Sequence, residues 1–110
     1  MINQLREQLW KAIYLNPLYP SDLLENAKDP DYHGINFSAY KGGTKVELVF
    51  QDLGQIVKAT YYFDSKDYLQ QAIMYEFDKE SIIYDRNLAI QSIINKIKII
   101  APKEEVFVAI

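Results

Sequence analysis

The sequence lacks cysteine, and this absence excludes disulfide bonds, thiolate nucleophiles and cysteine-ligated metal sites. It fits a reducing compartment, so we expect a cytoplasmic protein. Long apolar runs are missing too, because Asn95, Lys96 and Lys98 interrupt the most apolar segment, and no membrane-spanning helix is expected. The first ten residues show no basic stretch followed by an apolar run, and no signal peptide is expected.

Positive charge is scarce, since 12 Lys and Arg stand against 15 Asp and Glu, a formal net charge of −3. Nucleic-acid binding requires a concentrated basic surface, so we expect no nucleic-acid partner. A mildly acidic surface suits a basic protein partner instead. The 110 residues, 49% of them hydrophobic, are predicted to form a single domain over 1–110.

Residues with obvious catalytic chemistry are few. The only histidine, His33, stands near Asp29 and Asp31 and could bind a metal with them, but Asp, Pro and Gly are also the ordinary residues of a solvated loop. No serine has the G-x-S-x-G context of a hydrolase nucleophile. We therefore predict no catalytic residue, no metal and no cofactor.

A second candidate for acid–base chemistry is the series of alternating carboxylates Glu76, Asp78 and Glu80. On one continuous strand they would share a face and could act as a pair. Asp78 and Glu80 fall in a predicted turn over 78–80, however, where exposed charge is normal. We interpret them as surface residues.

Helical spacing of apolar residues appears in three segments, which are 2–15, 21–28 and 86–101. Pro17 and Pro20 end the first, because proline cannot continue the ladder of backbone hydrogen bonds. Ser21 is the expected N-cap of the second. Pro102 ends the third.

Alternation with a period of two begins at residue 35. It predicts strands over 35–40, 45–51 and 55–63, joined by the turns KGGT and DLG into an antiparallel meander. Residues 65–77 fit either a helix or a strand over 69–77, and their Tyr, Phe and Ile content favours the strand. Short strands are predicted over 81–85 and 104–110. The expected class is α+β, an antiparallel sheet of five or six strands with helices packed on one face.

Tyrosine is abundant, with nine in the chain, and four of them lie between residues 60 and 77 among carboxylates. Because Tyr61 and Tyr62 are adjacent, one must point away from the core, and tyrosine is common at protein interfaces. We expect the sheet face opposite the helices to bind a protein partner. The next strand would expose on this face either Ala72, Met74 and Glu76 or Ile73, Tyr75 and Phe77, and the first set is the more polar. The predicted binding residues are Tyr62, Tyr75, Asp64, Asp67, Glu76 and Asp78.

In size, acidity and lack of cysteine the chain resembles the bacterial immunity and inhibitor proteins that occlude the active site of a basic toxin. This resemblance implies a non-enzymatic protein-binding function. The alternative is a small ligand-binding or hydrolytic domain with an aromatic-lined pocket and His33 or Glu76 at its mouth. The terminal strand over 104–110, if uncovered, predicts a weak homodimer.

Overall fold

The computed structural model describes residues 2–101, and the described contacts group into two compact units. Among the described residues, the helical unit comprises 2–16 and 86–101, and the sheet unit comprises Pro17–Asp85. The predicted strand over 104–110 lies outside the described residues. The predicted α+β class is confirmed, while the prediction of a single domain stays a prediction.

Two helices form the helical unit. Helix α1 spans Ile2–Tyr14 and helix α2 spans Arg86–Ile100, close to the predicted bounds. Leu5 and Leu9 pack against Ile97, since residues four apart share one side of a helix. The guanidinium of Arg86 donates a hydrogen bond to the carbonyl oxygen of Ile13 and so links the two helices.

Five antiparallel strands form the sheet, and they stand in sequence order, so that β1 and β5 are its edges. Their bounds are Tyr32–Tyr40 (β1), Gly43–Asp52 (β2), Gln55–Phe63 (β3), Leu69–Glu76 (β4) and Lys79–Asp85 (β5). The predicted meander is confirmed, and residues 69–76 are a strand. Strand β1 begins earlier than predicted, because Gln51 donates its N–H to the carbonyl of Asp31 at 2.8 Å and a bulge at His33 continues the pairing.

Two-residue turns close three of the hairpins, at Lys41–Gly42, Leu53–Gly54 and Phe77–Asp78. Both residues of each turn have positive φ, between 47° and 80°, as the type I′ turn requires. The predicted turn over 78–80 is therefore wrong, because Lys79 and Glu80 already belong to β5. Leu53 and Phe77 are bulky residues in a conformation that glycine and asparagine adopt more readily.

One face of the sheet, here called the inward face, carries the core of the sheet unit. Its buried residues are Val46, Leu48, Val57, Ala59, Phe63, Leu69 and Ala72. A 3₁₀ helix over Pro20–Lys28 adds Leu23 to this core. The predicted N-cap Ser21 is wrong, since the helix begins at Pro20 and the Asp22 carboxylate accepts the N–H of Tyr19 at 2.8 Å. The opposite side of the sheet is called the outward face.

No helix within residues 2–101 combines the length and the apolar character that crossing a membrane requires.

Candidate protein-binding face

The outward face follows from strand register. Thr60 of β3 stands opposite Ile73 of β4, while Tyr62 pairs with Gln71 and Lys58 with Tyr75. Paired residues project to the same side of a sheet, and alternate residues along a strand share a face. The structure thus brings Tyr62 and Tyr75, both named as candidate binding residues, to one face of the sheet.

The residues that accompany the tyrosines differ from the prediction. Met74 stands opposite Ala59, and Ala72 opposite Tyr61, so both lie on the inward face, where Ala72 is buried. Glu76, two residues beyond Met74, shares that face. Ile73 and Tyr75 take the outward positions instead, which makes this surface more apolar than the sequence suggested.

An irregularity in β4 explains how the strand begins. Phe63 pairs with Leu69 and Tyr62 with Gln71, so Gln70 is an extra residue in the ladder. Such a bulge moves Leu69 to the inward face, where it is buried, and leaves Gln71 outward. Strict alternation from Leu69 would have placed Leu69 on the face of Tyr75.

A third tyrosine, Tyr40, joins the outward face beside Tyr62, and sequence reasoning missed it. The two ring centroids are 4.8 Å apart at a tilt of 52°, although the residues belong to non-adjacent strands. They meet because the β2 residue paired with Tyr40 is Gly43, which has no side chain to separate them. Gly43 must be small for a second reason, since an added Cβ would lie 2.0 Å from the carbonyl oxygen of Phe63. The only local sign of this contact in the sequence was the position of Gly43 directly after the turn.

Two lysines share one carboxylate near the centre of this face. The Glu47 carboxylate lies 2.8 Å from Lys58 Nζ and 3.2 Å from Lys45 Nζ. Hydrogen bonds from Lys58 and then Lys45 hold the pKa of Glu47 below its ordinary value, and the hydrogen bond to Glu47 raises the pKa of Lys58. These three charges sum to +1, so a partner would meet one positive charge here beside aromatic and apolar groups.

A shallow depression of about 340 Å³ lies on the outward face. Its lining residues are Lys58, Thr60, Ile73, Tyr75 and Glu80. Tyr75 is 47% exposed at its wall, and the exposed side chains of Ile56 and Ile82 lie on the same face. The depression is apolar at its base with a lysine and a carboxylate beside it, an arrangement that suits a side chain from another protein.

Asp64 has a structural role in the loop between β3 and β4. Its Oδ1 accepts the N–H groups of Lys66 at 2.9 Å and Tyr68 at 3.0 Å, and its Oδ2 accepts Gln70 Nε2 at 3.1 Å. Aspartate commonly fixes a turn in this way. Asp67 follows in the same loop, with a φ of 66° and an exposed side chain.

The predicted acidic residues do not form one cluster. Asp64 and Asp67 lie at the end of β3, whereas Asp78 lies in the hairpin at the end of β4. Antiparallel strands place these two connections at opposite ends of the sheet. Each end of the outward face therefore has a tyrosine and an acidic connection, Tyr62 with the first and Tyr75 with the second.

His33 lies away from this face, in β1 and not in a loop as predicted. It lines an open cleft of about 310 Å³ between the 3₁₀ helix and β1. The cleft is otherwise formed by Leu24, Ala27, Tyr32, Gly34, Ile35 and Phe37. Burial, with the nearby Asp29, raises the pKa of Tyr32. Among residues 2–101, no group of three or more His, Asp or Glu side chains is placed to hold a metal ion.

The sequence matches no family model and no curated protein, and no solved structure matches the fold.

Proposed function

We propose that this chain is a small non-enzymatic module that binds a protein partner through the outward face. The observation that carries the proposal is the placement of Tyr62 and Tyr75. They stand on neighbouring strands of one face, about 14 Å apart along the strand direction, with Ile73 between them. Amphipathic aromatic residues of this kind are the usual anchors of protein interfaces.

A basic partner suits the charge of the module. The two lysines and one glutamate at the centre of the face leave one positive charge, so the carboxylates that give the chain its net charge of −3 lie elsewhere. Asp67 and Asp78 are exposed at its two ends and would speed the approach of a cationic protein, while the tyrosines would slow its departure. An inhibitor or immunity-type protein, acting in the cytoplasm on a basic target, has these properties.

The partner can be isolated by affinity capture from the native host and identified by mass spectrometry, after which binding is measured by titration. We expect Tyr75→Ala to weaken binding by about 2 kcal/mol, roughly thirtyfold, because it removes an exposed anchor without opening the core. Tyr62→Ala should also weaken binding, but less than Tyr75→Ala, because Tyr62 is half-buried against Tyr40.

Tyr19→Ala is the matched control, since Tyr19 is similarly exposed but belongs to the segment before the 3₁₀ helix. Its affinity should equal that of the unmodified protein. Equal affinity of all three variants, with unchanged thermal stability, would contradict the proposed surface.

A further inference from the structure

Strand β1 is an edge of the sheet, and its hydrogen-bond pattern follows from the turn beside it. Tyr40 and Gly43 close the two-residue hairpin, so they exchange both of their backbone hydrogen bonds. Ser38 and Asn36 then also bond to β2. The N–H and C=O groups of Ala39, Phe37 and Ile35 consequently point away from the sheet, and no other strand of the described chain pairs with them.

This edge has few of the features that prevent strands from associating. Lysine, proline, inward-pointing charge and bulges normally protect an edge strand. Residues 34–40, in contrast, contain no charged residue and no proline, and they run without a register shift. The only irregularity of β1 is the bulge at His33, before this segment.

The opposite edge is protected. Strand β5 begins with Lys79 and Glu80, and Ile83 is an extra residue that disrupts its pairing with β4. The two edges of one sheet therefore differ in their capacity to accept another strand, and only β1 offers seven uncharged residues in continuous register.

We infer that β1 is a self-association surface, at which a second copy of this chain pairs antiparallel to it about a two-fold axis through Phe37. In this register Phe37 meets Phe37 of the second copy, and Ile35 meets its Ala39. About six backbone hydrogen bonds form, because the N–H and C=O groups of Ile35, Phe37 and Ala39 that point away from β2 are used in both copies. A second copy fits because the segment is neutral, so that no like charges face one another across the axis.

The exposed apolar side chains at this edge also favour pairing with a second copy of the chain. Phe37 is 38% exposed and Leu24 is 54% exposed, and both line the cleft between the 3₁₀ helix and β1. In the paired arrangement, Phe37 of the second copy lies on the inward side next to this cleft and shields both residues from water. The paired segment is short, so the dimer is weak, with a dissociation constant on the order of 100 μM.

Sedimentation velocity of the full chain, from about 5 μM to 1 mM, tests the inference. The unmodified protein should shift from monomer to dimer, and Phe37→Lys should weaken dimerisation at least about tenfold, because it brings two lysines together at the axis. Ile82→Lys is the matched control, with the same change at an exposed residue of β5, and it should dimerise as the unmodified protein does.

Ala39→Pro provides a second test through the backbone. The N–H that it removes points away from β2, so the sheet tolerates the change while the second copy loses a donor. Ala39→Pro should abolish dimerisation with an unchanged circular dichroism spectrum. If this variant does not fold, the comparison of Phe37→Lys with Ile82→Lys still tests the inference. A monomer at every concentration, or equal loss of dimer in Phe37→Lys and Ile82→Lys, would overturn the inference.

Discussion

Individual residues in this sheet adopt conformations that their own preferences oppose. Leu53 has a φ of 48° and is 93% exposed, so it gains nothing from burial, and Phe77 is in a similar position with a φ of 53° and 68% exposure. Left-handed conformations cost a residue with a branched or bulky side chain about 1–2 kcal/mol. The strands on either side of each turn determine the turn geometry and outweigh this cost.

Leu53→Asn should stabilise the protein by about 1 kcal/mol, because Asn-Gly is the preferred pair for a type I′ turn and Gly54 is already present. Urea denaturation measures the change in the free energy of unfolding. Leu53→Ala serves as the control, since it removes the apolar side chain but keeps the Cβ that disfavours positive φ. Equal stability of Asn and Ala variants would show that the turn conformation is not the source of the effect.

The ion cluster around Glu47 makes a pH-dependent contribution. Because the folded state lowers the pKa of Glu47, its stabilisation is present above the pKa of the unfolded chain, near 4.5, and is lost as pH falls through the folded value. Glu47→Gln should therefore cost about 0.5 kcal/mol at pH 7, and the cost should disappear well below pH 4. The free energy of unfolding of Glu47→Gln and of the unmodified protein is measured at both pH values. A difference in stability that persists in acid would contradict the ion-pair explanation.

At the scale of elements, the connections decide where the binding residues lie. The loop over 64–68 is closed by backbone hydrogen bonds in both directions, from Asp64 N–H to the Tyr68 carbonyl and from Asp67 N–H to the Asp64 carbonyl. The Asp64 side chain adds its own acceptors to the same loop. A residue that the sequence suggested as a free acidic contact is thus part of the framework that starts β4 and its bulge.

Asp64→Ala should destabilise the sheet unit by about 1 kcal/mol, because the partly buried N–H of Tyr68 and the exposed N–H of Lys66 both lose the Asp64 carboxylate as acceptor. Ser65→Ala, in the same loop, should change stability by less than about 0.5 kcal/mol, as surface substitutions usually do. Thermal unfolding of both variants measures the difference. If Asp64→Ala is as stable as the unmodified protein, Asp64 acts only as a surface charge.

At the scale of the whole molecule, the helical unit and the sheet unit each have an apolar core, and the candidate surfaces belong to the sheet unit. The outward face and the open edge of β1 share Tyr40 but otherwise use different parts of that unit. The first depends on side chains that alternate across the sheet, and the second depends on backbone groups. A binding partner and a second copy of the chain could therefore be accommodated independently.

The α+β class, the bounds of both α-helices within two residues and the meander were predictable from the sequence, because hydrophobic periodicity is a local property that burial on one side imposes. Alternation also predicted that one of Tyr61 and Tyr62 points away from the core. The residues that accompany Tyr62, in contrast, follow only from the fold. The bulge at Gln70, the turn at Phe77 and the contact of Tyr40 with Tyr62 all depend on strand register, and register is determined by the pairing of residues distant in the chain.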